Sequence, residues 1–126
     1  MTNINGASVY AWSDMPTDRP MPLIDRKRII GSKMMISHVT LHKGLKVATH
    51  HHENEQISVV LSGRIRFSIG PADAAKFIEL GAGQVVHLPG NVPHAAEALE
   101  ECVLLDLFSP PSATTGVDAQ GGNRNG

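Results

Sequence analysis

Gly44-Leu-Lys-Val-Ala-Thr-His50-His51-His52-Glu53-Asn54-Glu55-Gln56-Ile-Ser-Val-Val-Leu-Ser-Gly63 is the stretch on which the fold turns. Its last part, residues 56–62, is an apolar run joined at Gly63 to a second run, residues 64–69. Both runs alternate with a period of two. Ile65, Phe67 and Ile69 fall on one face and Arg64, Arg66 and Ser68 on the other, the pattern of half-buried strands. Gly63 supplies the backbone freedom that a tight hairpin needs. Residues 46–52 read as an extended segment by the same argument. Alternate side chains of a strand share a face, so His50 and His52 point one way with Gln56 in phase. His51, Glu53 and Glu55 then point the other way.

Working outward, residues 34–41, 76–80, 84–88, 94–99 and 102–108 are further short apolar runs separated by turn chemistry. Together they predict roughly eight strands and no amphipathic helix, hence a β-sandwich or barrel. Twelve glycines and eight prolines suit that architecture better than a helical bundle. Residues 1–33 contain Pro16, Pro20 and Pro22 and lack a clear period, so they read as an irregular N-terminal arm with one strand near residues 28–31. Tyr10 and Trp12 suggest that the arm packs on the body or on a second subunit. Residues 34–111 form the barrel domain, and the small, polar residues 112–126 read as a disordered tail.

The length of 126 residues suits one domain with its own core. Its one cysteine, Cys102, reads as a packed thiol with no disulfide partner. A formal charge of -1 and scattered basic residues argue against nucleic-acid and membrane-surface partners. No apolar run approaches the ~20 residues that span a bilayer, and the first residues lack a signal-peptide pattern. The expectation is a cytoplasmic protein.

Seven histidines is a high count, and His50 and His52 offer a chelating pair. Imidazole nitrogens must converge at ~2.0–2.1 Å from an ion, which same-face positions on a strand allow. Pro89-Gly-Asn-Val-Pro93-His94 offers a third ligand at the opening of a distant strand.

Gly44-x5-His50-x-His52-x3-Gln56-x6-Gly63 resembles the first motif of the cupin family, with Gln56 where Glu is usual. Gly83-x5-Pro89-x-Asn91-x2-His94 resembles the second, with Asn91 where Gly is usual. The resemblance implies an all-β double-stranded β-helix, a jelly-roll-like barrel. It also implies one divalent metal ion (Zn, Mn, Ni or Fe) inside the barrel mouth on His50, His52, His94 and Gln56. A neutral Gln leaves such an ion with a net charge of about +2 where Glu would leave about +1, favouring anionic substrates. Two alternatives stay open: Gln56 bonds a bound water, or a bulge turns Glu55 inward as the ligand. The resemblance also implies a homodimer.

A narrower resemblance is to the cupins that linearise unsaturated uronates, carried by segments such as Asn91-Val-Pro-His94 and Leu104-Leu-Asp106-Leu-Phe108. It implies that Asp106 and Phe108 serve the substrate. Where that group has an arginine just after the last strand, this chain has Ser112. Asp106 shares the parity of Leu104 and Phe108, so it is either a proton carrier or a structural hydrogen-bond acceptor. Phe67 and Phe108 are candidates to line the substrate pocket. His38 is the other histidine with a route to the interior and a candidate proton carrier, whereas His42, His51 and His87 read as local polar residues. The expected function is a metal-dependent isomerase or lyase acting on a small, oxygen-rich, anionic molecule. The alternatives are a non-haem iron dioxygenase and a non-catalytic metabolite- or metal-binding barrel.

Overall fold

The period-two pattern becomes strand burial in the computed structural model, which describes residues 2–111. In β4 (Met35–Leu41), Met35, Ser37, Val39 and Leu41 are buried, while Ile36, His38 and Thr40 lie on the other, more open face. The chain order continues through β5 (Lys46–His50), β6 (Glu55–Ser62), β7 (Arg64–Ile69), β8 (Lys76–Gly81), β9 (Val85–Leu88), β10 (His94–Ala98) and β11 (Cys102–Ser109). Ahead of them stand β1 (Thr2–Ile4), β2 (Ala7–Val9) and β3 (Ile24–Ile30), with a single 3-10 turn at Trp12–Asp14. The tail expected at 112–126, with Ser112, lies outside the described residues.

Two antiparallel sheets make the barrel. One has the order β3-β4-β11-β6-β9 and the other β5-β10-β7-β8, with β1-β2 as a separate hairpin. Val39, Leu41, Val60 and Leu104 from the first sheet meet Val47, Ile65, Phe67 and Ala98 from the second in one core. Cys102 is fully buried there as the packed thiol expected, and burial pushes its pKa up to about 11. Gly63 joins β6 to β7 at a φ of 79°, where a Cβ would collide with the Glu101 carbonyl and lie 2.7 Å from Cys102 Cα. Only glycine fits that crossing. No helix of the described residues is long and apolar enough to cross a membrane.

The arm is less irregular than the sequence suggests. β3 pairs with β4 along its whole length, from Ile24↔Leu41 to Ile30↔Met35. Its pattern is hard to see because Arg26 and Arg28 occupy positions on the inner parity, where apolar residues are expected.

His42 fastens this edge to the rest of the barrel. Its Nε2 lies 2.9 Å from Asp25 Oδ2 and its Nδ1 3.0 Å from Glu101 Oε1. The Asp25 carboxylate first, and Glu101 second, raise the His42 pKa. A group raised on folding stabilises fully below its unfolded pKa, and that contribution fades as pH rises through the folded value. The melting temperature of wild type should therefore exceed that of His42→Gln by more at pH 5.5 than at pH 8.5. An equal gap at both pH values would remove the ionic explanation.

Candidate metal centre

β5 ends on His50 and β10 begins on His94, and these two residues are direct cross-strand partners. Their side chains therefore stand together at one end of the four-stranded sheet. The strand stops two residues earlier than the sequence suggests, so His52 sits in the loop that follows β5, where it is buried. Gln56, near the start of β6, faces inward from the other sheet and pairs with Phe108 and Leu88. The two motif loops brace each other. Asn91 N–H donates to the His52 carbonyl at 2.7 Å, and a Cβ on Gly90 would lie 2.7 Å from the Glu53 carbonyl oxygen. Asn91 has a φ of 65°, in the left-handed region that asparagine enters more readily than other side chains, which explains why it can stand in a glycine position.

Each of the three imidazoles is oriented by backbone two residues away. Nδ1 of His50, His52 and His94 lies 2.8, 3.0 and 2.8 Å from the carbonyls of Ala48, Asn54 and Val92. A carbonyl only accepts, so Nδ1 carries the proton and a neutral ring keeps its lone pair on Nε2. One ring nitrogen from each histidine lies within 4.8 Å of the other two. His50 Nε2 is buried without a hydrogen-bond partner. Burial is the leading cause that lowers all three pKa values, to about 4 for His94. The rings are therefore neutral at neutral pH, the state in which imidazole binds a metal. The donor set fits a divalent ion.

Gln56 completes a directed chain. Its Nε2 donates to Ser58 Oγ at 2.9 Å, and Ser58 Oγ donates to Asp106 Oδ1 at 2.6 Å. With the amide nitrogen committed to Ser58, Oε1 faces His52 Nε2 at 3.1 Å. Both of these atoms are acceptors when His52 is neutral and protonated on Nδ1. Beneath the histidines lies a cavity of about 60 Å³, lined by Gln56, Ser58, Asp106 and Arg26 among others. At roughly 10–15 Å³ per water it takes several waters or part of a ligand. Burial lifts the Asp106 pKa to about 6, with the Ser58 hydroxyl pulling the other way.

Phe67 and Phe108 both line this cavity, as does Asp106. His51 is exposed, as its parity predicts. Glu55 faces outward and pairs with His87 Nε2 at 2.6 Å, so the bulge that would turn it inward is not formed. His38 needs a correction. It falls on the outer parity of β4, and its ring packs 5.2 Å from that of Trp12 in the arm, so it does not reach the cavity. Sequence reasoning missed Ser58 and Arg26. Ser58 shares the parity of Gln56, which was the available signal. Arg26 lay in a segment whose strand character its own charge concealed.

No curated protein matches the sequence significantly. Among solved structures, KdgF from Halomonas sp. is 25% identical, with a TM-score of 0.77 over 85% of this chain and 96% of its own. An RmlC-like cupin from Shewanella frigidimarina is 22% identical, with a TM-score of 0.73 over 82% and 91%. A formate complex of oxalate decarboxylase from Lactobacillus farciminis shares the fold at 18% identity and a TM-score of 0.71. It aligns over 82% of this chain, which spans only 32% of that enzyme. The family model of the cupin domain matches residues 37–108, the span that brings all three clustered histidines together. The chain belongs to the cupin family.

Proposed function

We propose that this protein is a metal-dependent isomerase or lyase acting on a small, oxygen-rich, anionic substrate of the sugar-acid kind. The observation that carries the reading is the convergence of three neutral imidazoles above a cavity that also holds a carboxyl group titrating near neutrality. His50, His52 and His94 hold the ion, and Gln56 Oε1 is the fourth ligand. The close approach of two acceptors, Gln56 Oε1 and His52 Nε2, supports a cation between them. When bound, the metal supplies a Lewis acid that polarises a substrate carbonyl or hydroxyl. Asp106 takes and returns the proton, because a pKa of about 6 lets it do both near neutral pH. Phe67 and Phe108 wall the cavity with apolar surface that limits water access. The resemblance of Asn91-Val-Pro-His94 and Leu104-Leu-Asp106-Leu-Phe108 to the uronate-linearising cupins supports a sugar-acid substrate. We also take the protein to be a cytoplasmic homodimer. Exposed Phe77 on edge strand β8 and Val85 on edge strand β9 support pairing at a sheet edge.

Ser58 is the positioning residue of this site. Ser58→Ala removes two hydrogen bonds at once and lets the Gln56 amide turn over. Losing such a supporting partner typically weakens metal affinity by about 10–100-fold. Competition with a chelator measures the loss, and unchanged affinity would mean that Gln56 is not a ligand. The reaction class is tested by incubating the metal-loaded protein with a panel of uronates and hydroxy acids in deuterated water without oxygen. Deuterium entering product at the carbon beside a carbonyl is the expected result. Turnover that requires oxygen points to a dioxygenase, and ligands retained unchanged point to a binding protein.

A further inference from the structure

The five-stranded sheet is apolar on its outer face as well as on its inner one. Its outward side chains stand in cross-strand rows. One row runs Ile36, Leu107, Ile57 and His87, and the next runs His38, Leu105, Val59 and Val85. β6 reverses the usual order, with Gln56 and Ser58 turned inward and Ile57, Val59 and Leu61 turned outward. An antiparallel sheet with one face in water normally puts its polar residues on that face. Here Leu61 is 46% and Val85 55% exposed, and the two rows contain no Asp, Glu, Lys or Arg. A contiguous apolar area of this kind marks an interaction surface.

The N-terminal hairpin presents a second uncovered apolar surface. Thr2↔Val9 and Ile4↔Ala7 are cross-strand partners that share one face, while Asn3↔Ser8 takes the other. Asn5 and Gly6 turn the chain at φ values of 51° and 88°, the Asn-Gly pair that closes a two-residue hairpin. Every residue of β1 and β2 is exposed, Ile4 and Val9 by more than half. A two-stranded hairpin is marginal in water without a surface to pack on. This one leaves the body beside the apolar sheet face. Trp12 packs on His38 there, and Lys27 Nζ donates to the Trp12 carbonyl at 2.7 Å.

We propose that the outer face of this sheet receives the hairpin of a second copy of the chain. In the resulting two-fold dimer the Ile4 and Val9 face of each hairpin lies on the β6 and β9 side of the other chain, and the contact is made twice. Five strands about 4.8 Å apart and about seven residues long make a face of roughly 24 Å in each direction, on the order of 600 Å². A stable interface takes about 800 Å² per partner, so the face alone falls short and the hairpin supplies the remainder. A second copy is the occupant because both apolar surfaces belong to this chain and residues 2–9 carry no charged side chain. Residues 112–126 contain one large apolar side chain, Val117, too few to cover the face. The inference rests on the homodimer proposed above, gives it a surface, and does not depend on the metal. The competing arrangement is an edge contact through Phe77 on β8.

Sedimentation of the full chain at micromolar concentration should show a dimer. Leu61→Glu and Ile4→Asp should each weaken it by at least about tenfold, because each puts a charge into an apolar contact. Both positions are exposed in the single chain, so neither change touches the core. Val85→Lys repeats the test on the sheet side if Leu61→Glu misfolds. Ser8→Glu, on the polar face of the hairpin, and Phe77→Lys should leave the dimer intact. An equal mixture of Leu61→Glu and Ile4→Asp chains should associate more tightly than either variant alone, since a mixed pair keeps one of the two hairpin contacts. A mixture no tighter than its parts would overturn the exchange of hairpins. A dimer broken by Phe77→Lys and not by Leu61→Glu would overturn this surface and keep the homodimer. A wild-type monomer would overturn both.

Discussion

His94→Ala should take the purified protein from near one equivalent of divalent metal per chain to almost none, with the barrel still folded. His94 opens β10 directly beside His50, and its ring lies 4.4 Å from that of His50 and 5.1 Å from that of His52. Structural metal sites with four ligands bind with about 10–16 kcal/mol, so one ligand accounts for roughly 3–4 kcal/mol, a loss of several hundred-fold or more. The fold should survive because His94 is neutral and its Nδ1 bond is to the local Val92 carbonyl. Removing it strands no buried charge. His51→Ala is the control, since His51 is adjacent in sequence and exposed. Elemental analysis of both variants beside wild type gives the answer. Metal retained in His94→Ala, or lost equally in His51→Ala, would contradict the assignment.

Asp106→Asn should abolish turnover, by about 100-fold or more for a lost proton carrier, while metal content stays at the wild-type level. Asparagine still accepts the Ser58 hydroxyl, so the chain that orients Gln56 is kept. Stability should move the opposite way. Burial raises the Asp106 pKa from 3.8 to about 6, so the native state binds a proton over that interval more readily than the unfolded chain. Its stabilising contribution is complete below pH 3.8 and is lost as pH rises through 6. Above pH 6 the ionised carboxylate is therefore a liability of about 3 kcal/mol in the metal-free protein, which asparagine removes. Melting curves of the metal-free variant and wild type should diverge between pH 4.5 and 7.5, with the variant higher at pH 7.5. Loss of metal together with activity would assign Asp106 a structural role instead.

Much of this was legible in the residues. Alternation in 56–69 set the hairpin, and the two motif resemblances brought His50, His52 and His94 to one place; the shared strand parity of His50 and His52 did not, because β5 ends at His50. What local pattern could not supply was the geometry of the connections. His52 reaches the cluster from a loop braced by Asn91 and Gly90, and no period describes such a contact. His38 was the other histidine given a route to the interior, yet strand parity sends it to Trp12. Ser58 is chemically bland, and its value lies in standing between Gln56 and Asp106, which are distant in sequence. β3 was hidden because buried Arg26 and half-buried Arg28 contradict the rule that inward positions are apolar, and such violations gather at functional sites.

The central claim is that His50, His52, His94 and Gln56 together hold one metal ion. Diffraction from crystals of the metal-loaded protein, collected at the absorption edge of the metal found by elemental analysis, tests it most directly. The predicted result is one anomalous peak per chain, about 2.0–2.2 Å from the Nε2 atoms of the three histidines and from Gln56 Oε1. A peak elsewhere, or a peak at the histidines with the Gln56 amide nitrogen turned toward it, would contradict the account.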